Sequence, residues 1–166
     1  VYDTTKIKSQ YNRLKNSFKL VNKLQINYAV KALSNLSILK YINTLGAGID
    51  TVSIQEVILG IRAGYSPKKI IYTPNGVSID EIYEVSKMGV NINIDNLNIL
   101  EQFGNLYPET PVCIRINPHV MAGGNNKISV GHIDSKFGIS IHQIPLLLRI
   151  VNNTNIKVNG IHMHTG

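Results

Sequence analysis

Short strand-like runs alternate with helix-like segments from one end of this chain to the other, and that alternation constrains the fold more than any other feature. Parallel strands cannot be joined by a tight hairpin, so repeated strand–helix units with short joints imply a parallel sheet with right-handed crossovers. The first helical pattern puts Ile7, Tyr11, Leu14, Phe18 and Val21 on one face, with Asp3, Thr4 or Thr5 to cap it. Strands follow at Ile26 to Lys31, Ile49 to Ser53, Lys69 to Thr73, Val90 to Asp95, Val112 to Asn117, Lys136 to Ser140 and Lys157 to His164. Helical patterns lie between them. One starts near Ser34, one carries Val57, Ile58 and Ile61, and one opens on Ser78 with Glu81 as a capping box. Two more carry Leu97, Leu100 and Phe103, and Ile144, Leu147, Leu148 and Val151. Gly46, Gly64, Gly89 and Gly104 are expected to stop the first four. A longer loop covers Pro118 to Ser135.

Helices on one side of the strands favour a βα barrel over a doubly wound sheet. A full barrel has eight strands and about 250 residues. The expectation is therefore an α/β fold, an incomplete (β/α)8 barrel with about seven strands present. The chain begins at Val1 and stops just after a strand-like segment, so both ends read as cut from a longer protein.

A chain of 166 residues, 43% hydrophobic and 16% charged, is long and apolar enough for one sizeable core. The net charge of +7 reads first as a solvated basic surface, with a basic pocket for a small anion as the alternative. Nucleic acid is not expected as a partner. Lys6, Lys8, Lys15, Lys19 and Lys23 are scattered and form no stripe interleaved with aromatics. The single cysteine, Cys113, cannot form a disulfide within the chain, which fits a reducing, cytoplasmic setting. No run of about 18 apolar residues and no signal-peptide pattern is present, so no membrane association is expected.

The strand faces carry more information. Val90, Ile92 and Ile94 alternate with Asn91, Asn93 and Asp95, and Val112, Ile114 and Ile116 alternate with Cys113, Arg115 and Asn117. His162 and His164 share a face, as do Asn27, Ala29 and Lys31. In a barrel the apolar sets pack under the helices and the polar sets point into the lumen. Lumens are usually filled by branched aliphatic side chains, so this polar lining implies a large polar ligand near the C-terminal mouth. The competing reading is a sheet with one solvated face, which parallel sheets rarely have.

Lys31 is the strongest chemical candidate. It is a lone lysine at the end of an uncharged strand, where burial would lower its pKa and free its amine as a Schiff-base nucleophile. The plain alternative is a surface lysine at a strand end. On a barrel strand the carbonyl partner would be pyridoxal phosphate, acting as an electron sink. His162 and His164 could bind zinc, but no third ligand is evident, and an imidazole stacked on a planar cofactor fits equally well. One of the two is expected to be an ordinary core histidine. Arg115 is too costly to bury unpaired and needs an anion, with Asp95 and Asp50 as candidates. Asp95 has an equally good role as a helix N-cap. The loop Met121 to Lys127 is either a substrate loop or a plain turn. Gly46-Ala47-Gly48 precedes a strand and lacks the third glycine of a dinucleotide fingerprint.

Taken together, Tyr28-Ala29-Val30-Lys31-Ala32, Gly46 to Ser53 with Glu56, Arg115-Ile116-Asn117-Pro118, Ser135-Lys136-Phe137-Gly138 and His162-Met163-His164-Thr165-Gly166 resemble the fold-type III pyridoxal phosphate decarboxylases. The motifs stand in the family's order along nearly the whole chain, and they look like its diaminopimelate branch more than its ornithine branch. The resemblance implies a TIM-like (β/α)8 barrel of the alanine racemase type that binds pyridoxal 5'-phosphate. It also implies decarboxylation of meso-2,6-diaminopimelate to L-lysine, and a homodimer of the whole protein. Lys31 would hold the cofactor as a Schiff base and act as the catalytic lysine, His164 would stack on the pyridine ring, and Arg115 and Asp50 would line the site. Strand parity sets Asp50 opposite Thr51 and Ser53, so either the register is shifted or its role is indirect. No metal is implied.

Leu33 stands where the family has asparagine, and Ile54-Gln55 where it has Gly-Gly. Residues 1–166 would form part of the barrel. The phosphate-binding serine, the glutamate for the pyridine nitrogen and a C-terminal β-domain would lie beyond Gly166. Ornithine or arginine decarboxylation, a non-catalytic pyridoxal phosphate carrier, and alanine racemisation are the rival readings.

Overall fold

The computed structural model describes residues 1–120 and 137–164. The chain divides into two compact units, Val1–Tyr72 and Thr73–Gly166.

The first unit runs α1 (Thr4–Ser17), β1 (Asn27–Ala29), α2 (Leu36–Thr44), β2 (Gly48–Thr51), α3 (Ile54–Arg62) and β3 (Ile70–Tyr72). β2 pairs in parallel with β1 on one side and β3 on the other. Tyr28, Ile49 and Ile70 form one row and Ala29, Asp50 and Ile71 the next. Ile49, Thr51, Ile70 and Tyr72 are fully buried. α3 covers that face through Gly60, where an added Cβ would lie 2.3 Å from Ile49 Cδ1 and 3.3 Å from Ile70 Cδ1. The opposite face, with Asn27, Ala29, Asp50 and Ile71, therefore points away from the helix.

The caps follow the sequence closely. Of the three candidates for α1, Asp3 is the one used, accepting from the amides of Thr5 and Lys6. Asn35 caps α2 in the same way. Ser53 accepts from the Glu56 amide, and the Glu56 carboxylate accepts from the Val52 amide at 2.8 Å. Glu56 thus secures the start of α3. α1 ends at Ser17, short of Val21, and buries no residue. Its Leu14 and Phe18 are each 46% exposed.

The second unit runs α4 (Ile79–Lys87), β4 (Asn91–Ile94), α5 (Leu97–Leu106), β5 (Val112–Asn117), β6 (Ile139–Ser140), α6 (Ile144–Thr154) and β7 (Val158–His162). β5 is its centre, in parallel register with β4 on one side. On the other side it pairs with β7 along most of its length and with β6 at its end. Ile92, Ile94, Val112 and Ile114 are buried, as the alternation predicts. Ser78 accepts from the Glu81 amide at the start of α4.

Gly46, Gly64 and Gly89 take φ of 92°, 88° and 77°, the left-handed conformation of a helix stop. Gly104 does not stop its helix. It lies inside α5, pressed against α6, where an added Cβ would come within 2.6 Å of Thr154 Oγ1. Asp95 does not cap α5 either. Asn96 does, accepting from the amides of Asn98 and Ile99, while the Asp95 carboxylate accepts from Asn75 Nδ2 at 3.0 Å.

The strands are mostly shorter than the apolar runs that announce them, because pairing ends before hydrophobicity does. β5 alone matches its expected bounds. The start of the sixth strand at Lys136, the loop Met121 to Lys127 and the pair Thr165-Gly166 lie outside the described residues. Among the described residues no helix is long and apolar enough to cross a membrane.

Candidate active site

In the first unit the candidate residues lie in β2 and just beyond the C-terminal end of β1. β1 stops at Ala29, and Val30–Ala32 form a single 3-10 turn closed by the Leu33 amide on the Val30 carbonyl at 3.0 Å. Val30 is fully buried, and the turn it anchors carries Lys31 out to solvent. The expected burial of Lys31 is therefore corrected. Strand alternation does not reach it, because the backbone has already left the strand. Asp50 does lie in β2, in register with Ala29, on the face turned away from α3. Thr51 points the other way, fully buried, and its hydroxyl donates to the Ile71 carbonyl at 2.8 Å. Parity thus favours Asp50 for the inner face, and no shift of register is needed.

In the second unit one candidate, Arg115, lies within the sheet and another, His164, past its end. Arg115 on β5 and His162 on β7 are register partners, so both project from the same face. Cys113 and Gly160 form the row below, and Asn93 on β4 is in register with Cys113. Burial pushes the Cys113 thiol above its usual range, with only partial opposition from its contact with the Ile114 backbone. Asn93 donates to Thr73 Oγ1 at 2.9 Å in a buried pair. The Arg115 guanidinium lies over the Phe137 ring, 5.0 Å from its centre, a cation–π contact. His164 lies two residues past the end of β7 and is exposed.

Gly138 explains why the Arg115 and Phe137 motifs belong together. Its φ is 84°, and an added Cβ would sit 2.9 Å from the Asn117 nitrogen and 3.1 Å from the Ile116 carbonyl carbon. No side chain fits there, so the glycine lets the segment lie flat on β5 and brings Phe137 under Arg115. The motif that holds Phe137 does not by itself reveal a platform for Arg115, because the contact is tertiary. Thr73, the partner of Asn93, was read only as the end of a strand. Among the described residues no three histidine, cysteine or acidic side chains gather as a metal site.

Comparison with known proteins places the chain in a family. The profile of the family described as "Pyridoxal-dependent decarboxylase, pyridoxal binding domain" matches residues 4–166. The chain is 34% identical over 168 residues to the diaminopimelate decarboxylase of Methanothermobacter thermautotrophicus, covering all of this chain and 39% of that one. It superposes on the crystal structure of diaminopimelate decarboxylase from Helicobacter pylori complexed with L-lysine with a TM-score of 0.85 and 32% identity, over 99% of this chain and 43% of that one. For the Paramecium bursaria Chlorella virus arginine decarboxylase the TM-score is 0.79 at 25% identity, over 97% of this chain and 42% of that one. The chain spans about two-fifths of the length of the relatives it matches. The fold class is α/β, that of the pyridoxal-dependent decarboxylase barrels, present in part. Each unit by itself offers groups of the kind pyridoxal phosphate takes: an exposed primary amine and a strand carboxylate in the first, and a guanidinium in register with an imidazole in the second. With the profile matched over residues 4–166, the chain belongs to the pyridoxal-dependent decarboxylase family and corresponds to its pyridoxal-binding domain.

Proposed function

We propose that the protein carrying this chain decarboxylates meso-2,6-diaminopimelate to L-lysine, with Lys31 as its catalytic lysine. The observation that supports the reading is the place of Lys31, in the turn directly after the C-terminal end of β1 in a chain that the pyridoxal-binding family matches along its length. Pyridoxal phosphate, when bound, supplies the electron sink that makes loss of carbon dioxide from an α-carbon feasible. The Lys31 amine is free to reach a carbonyl because its turn holds it clear of the core. Asp50, Arg115 and His164 are the other residues we assign to the cofactor. Arg115 offers a fixed cation, oriented by the Phe137 ring, for an anionic group of the ligand. Asp50 offers a carboxylate to line the site, and His164 an imidazole for stacking. The carbon dioxide that leaves is replaced on the same carbon by a proton, so the product is the corresponding amine.

The diaminopimelate reading is supported by relatives of that name at 31–34% identity over the full chain. Arginine decarboxylation is the second reading, supported by the viral enzyme at 25% identity. We assign the rest of the protein to a β-domain and the working unit to a homodimer, as the family resemblance implies. Product analysis of the intact protein with meso-diaminopimelate, ornithine and arginine tests the substrate. Lysine from the first and no turnover of the others is expected, whereas agmatine or putrescine as the main product would overturn the reading. Lys31→Ala in the same protein is expected to abolish turnover.

A further inference from the structure

Two histidines outside the proposed cofactor set meet where β5 and β6 end. The chain leaves β5 through Asn117 and Pro118, and the Asn117 side chain accepts from the His119 amide at 3.0 Å. That bond belongs to a tight turn in which His119 takes φ 56°, a conformation uncommon for a residue with a side chain. His142 lies in the 3-10 turn Ile141–Gln143 after β6. Its backbone is fixed by a complete capping box, in which Ser140 accepts from the His142 amide and Gln143 accepts from the Ser140 amide. Two independently anchored turns thus bring the imidazoles together, with ring centres 5.0 Å apart and planes inclined at 64°.

A direct edge-to-face contact between the rings would account for the distance. It does not account for His119 Nδ1, which is shielded from solvent and has no hydrogen-bond partner among the described residues. A sheltered ring nitrogen without a partner is costly, and a bound cation satisfies it. The spacing fits. With metal–nitrogen bonds of about 2.0–2.1 Å and roughly 1.1 Å from nitrogen to ring centre, two imidazoles sharing a tetrahedral ion stand about 5.2 Å apart.

We propose that His119 and His142 form a two-imidazole clamp for a divalent transition ion of the zinc, nickel and copper class, with water in the remaining positions. Neutral imidazole suits these ions, whereas magnesium and calcium demand oxygen ligands. The ion would tie the turn after β5 to the turn after β6. The clamp is independent of the decarboxylase reading, since neither histidine is assigned to the cofactor.

The test is competition of the intact protein with a chromophoric chelator for Zn2+, then for Ni2+ and Mg2+. One Zn2+ per protomer is expected, with Mg2+ failing to compete. His119→Asn keeps a residue that tolerates positive φ, and His142→Gln changes an exposed position, so both variants should fold, as circular dichroism would verify. Each is expected to weaken Zn2+ binding by about tenfold or more. Undiminished binding in the folded double variant, or no stoichiometric Zn2+ in the parent protein, would overturn the proposal.

Discussion

Lys31 in the first unit and Arg115 in the second are presented in opposite ways. In the first, β1 ends at Ala29 and the proposed catalytic lysine stands beyond it, on a turn held by one buried valine. In the second, Arg115 and His162 are register partners inside the sheet, and Arg115 is further held by Phe137 and, through it, by Gly138. The difference fits the two tasks proposed for these residues. A residue that must reach a carbonyl and exchange partners gains from exposure and from a backbone free of ladder constraints. A residue that must present a fixed charge gains from being built into the sheet.

That contrast can be broken by substitution. The largest loss of stability is expected at Gly138→Ala, where positive φ and backbone atoms of Asn117 and Ile116 both oppose a Cβ. A cost of about 3 kcal/mol in urea unfolding is expected, whereas an effect below about 0.5 kcal/mol would show that the segment does not press on β5. Gly60→Ala in the first unit should cost less, about 1–3 kcal/mol, because the nearest atom is the movable end of Ile49. Asn93→Ala removes the buried bond to Thr73 and should cost about 1–2 kcal/mol by the same measurement. Lys31→Ala should be the smallest, within about 0.5 kcal/mol, because the side chain is exposed. A large loss there would place Lys31 in the fold as well as in the chemistry.

Alkaline pH probes the first unit separately. Burial, with a smaller contribution from Tyr28, pushes the Tyr65 phenol up to about 12, and its hydroxyl donates to the Leu39 carbonyl. Below the unfolded pKa of about 10 the phenol is protonated in both states and its contribution is fully present. As pH rises from about 10 towards 12 the unfolded chain ionises first, so stability falls across that window. Tyr65→Phe is expected to flatten the decline in pH-dependent urea melts, and an unchanged slope would assign it to other groups.

Much of this was legible in the sequence, and the failures have physical causes. Alternation located the buried Ile92, Ile94, Val112 and Ile114 correctly because those residues lie within paired strands. It failed for Lys31, because periodicity cannot show where pairing stops and a turn begins. Three glycines expected as helix stops are stops, and Gly104 is a contact surface instead. Nothing local distinguishes the two, since the reason for Gly104 is Thr154 on another helix. The Phe137 platform was hidden for the same reason: it depends on a tertiary contact with Arg115.

The most direct test of Lys31 is borohydride reduction of the intact protein loaded with pyridoxal phosphate, followed by peptide mapping. The reduced adduct should fall on the peptide containing Lys31 and vanish in Lys31→Ala, which should unfold at the same urea concentration as the parent. An adduct on another lysine, undiminished in that variant, would contradict the assignment of the strand-end lysine as the catalytic residue.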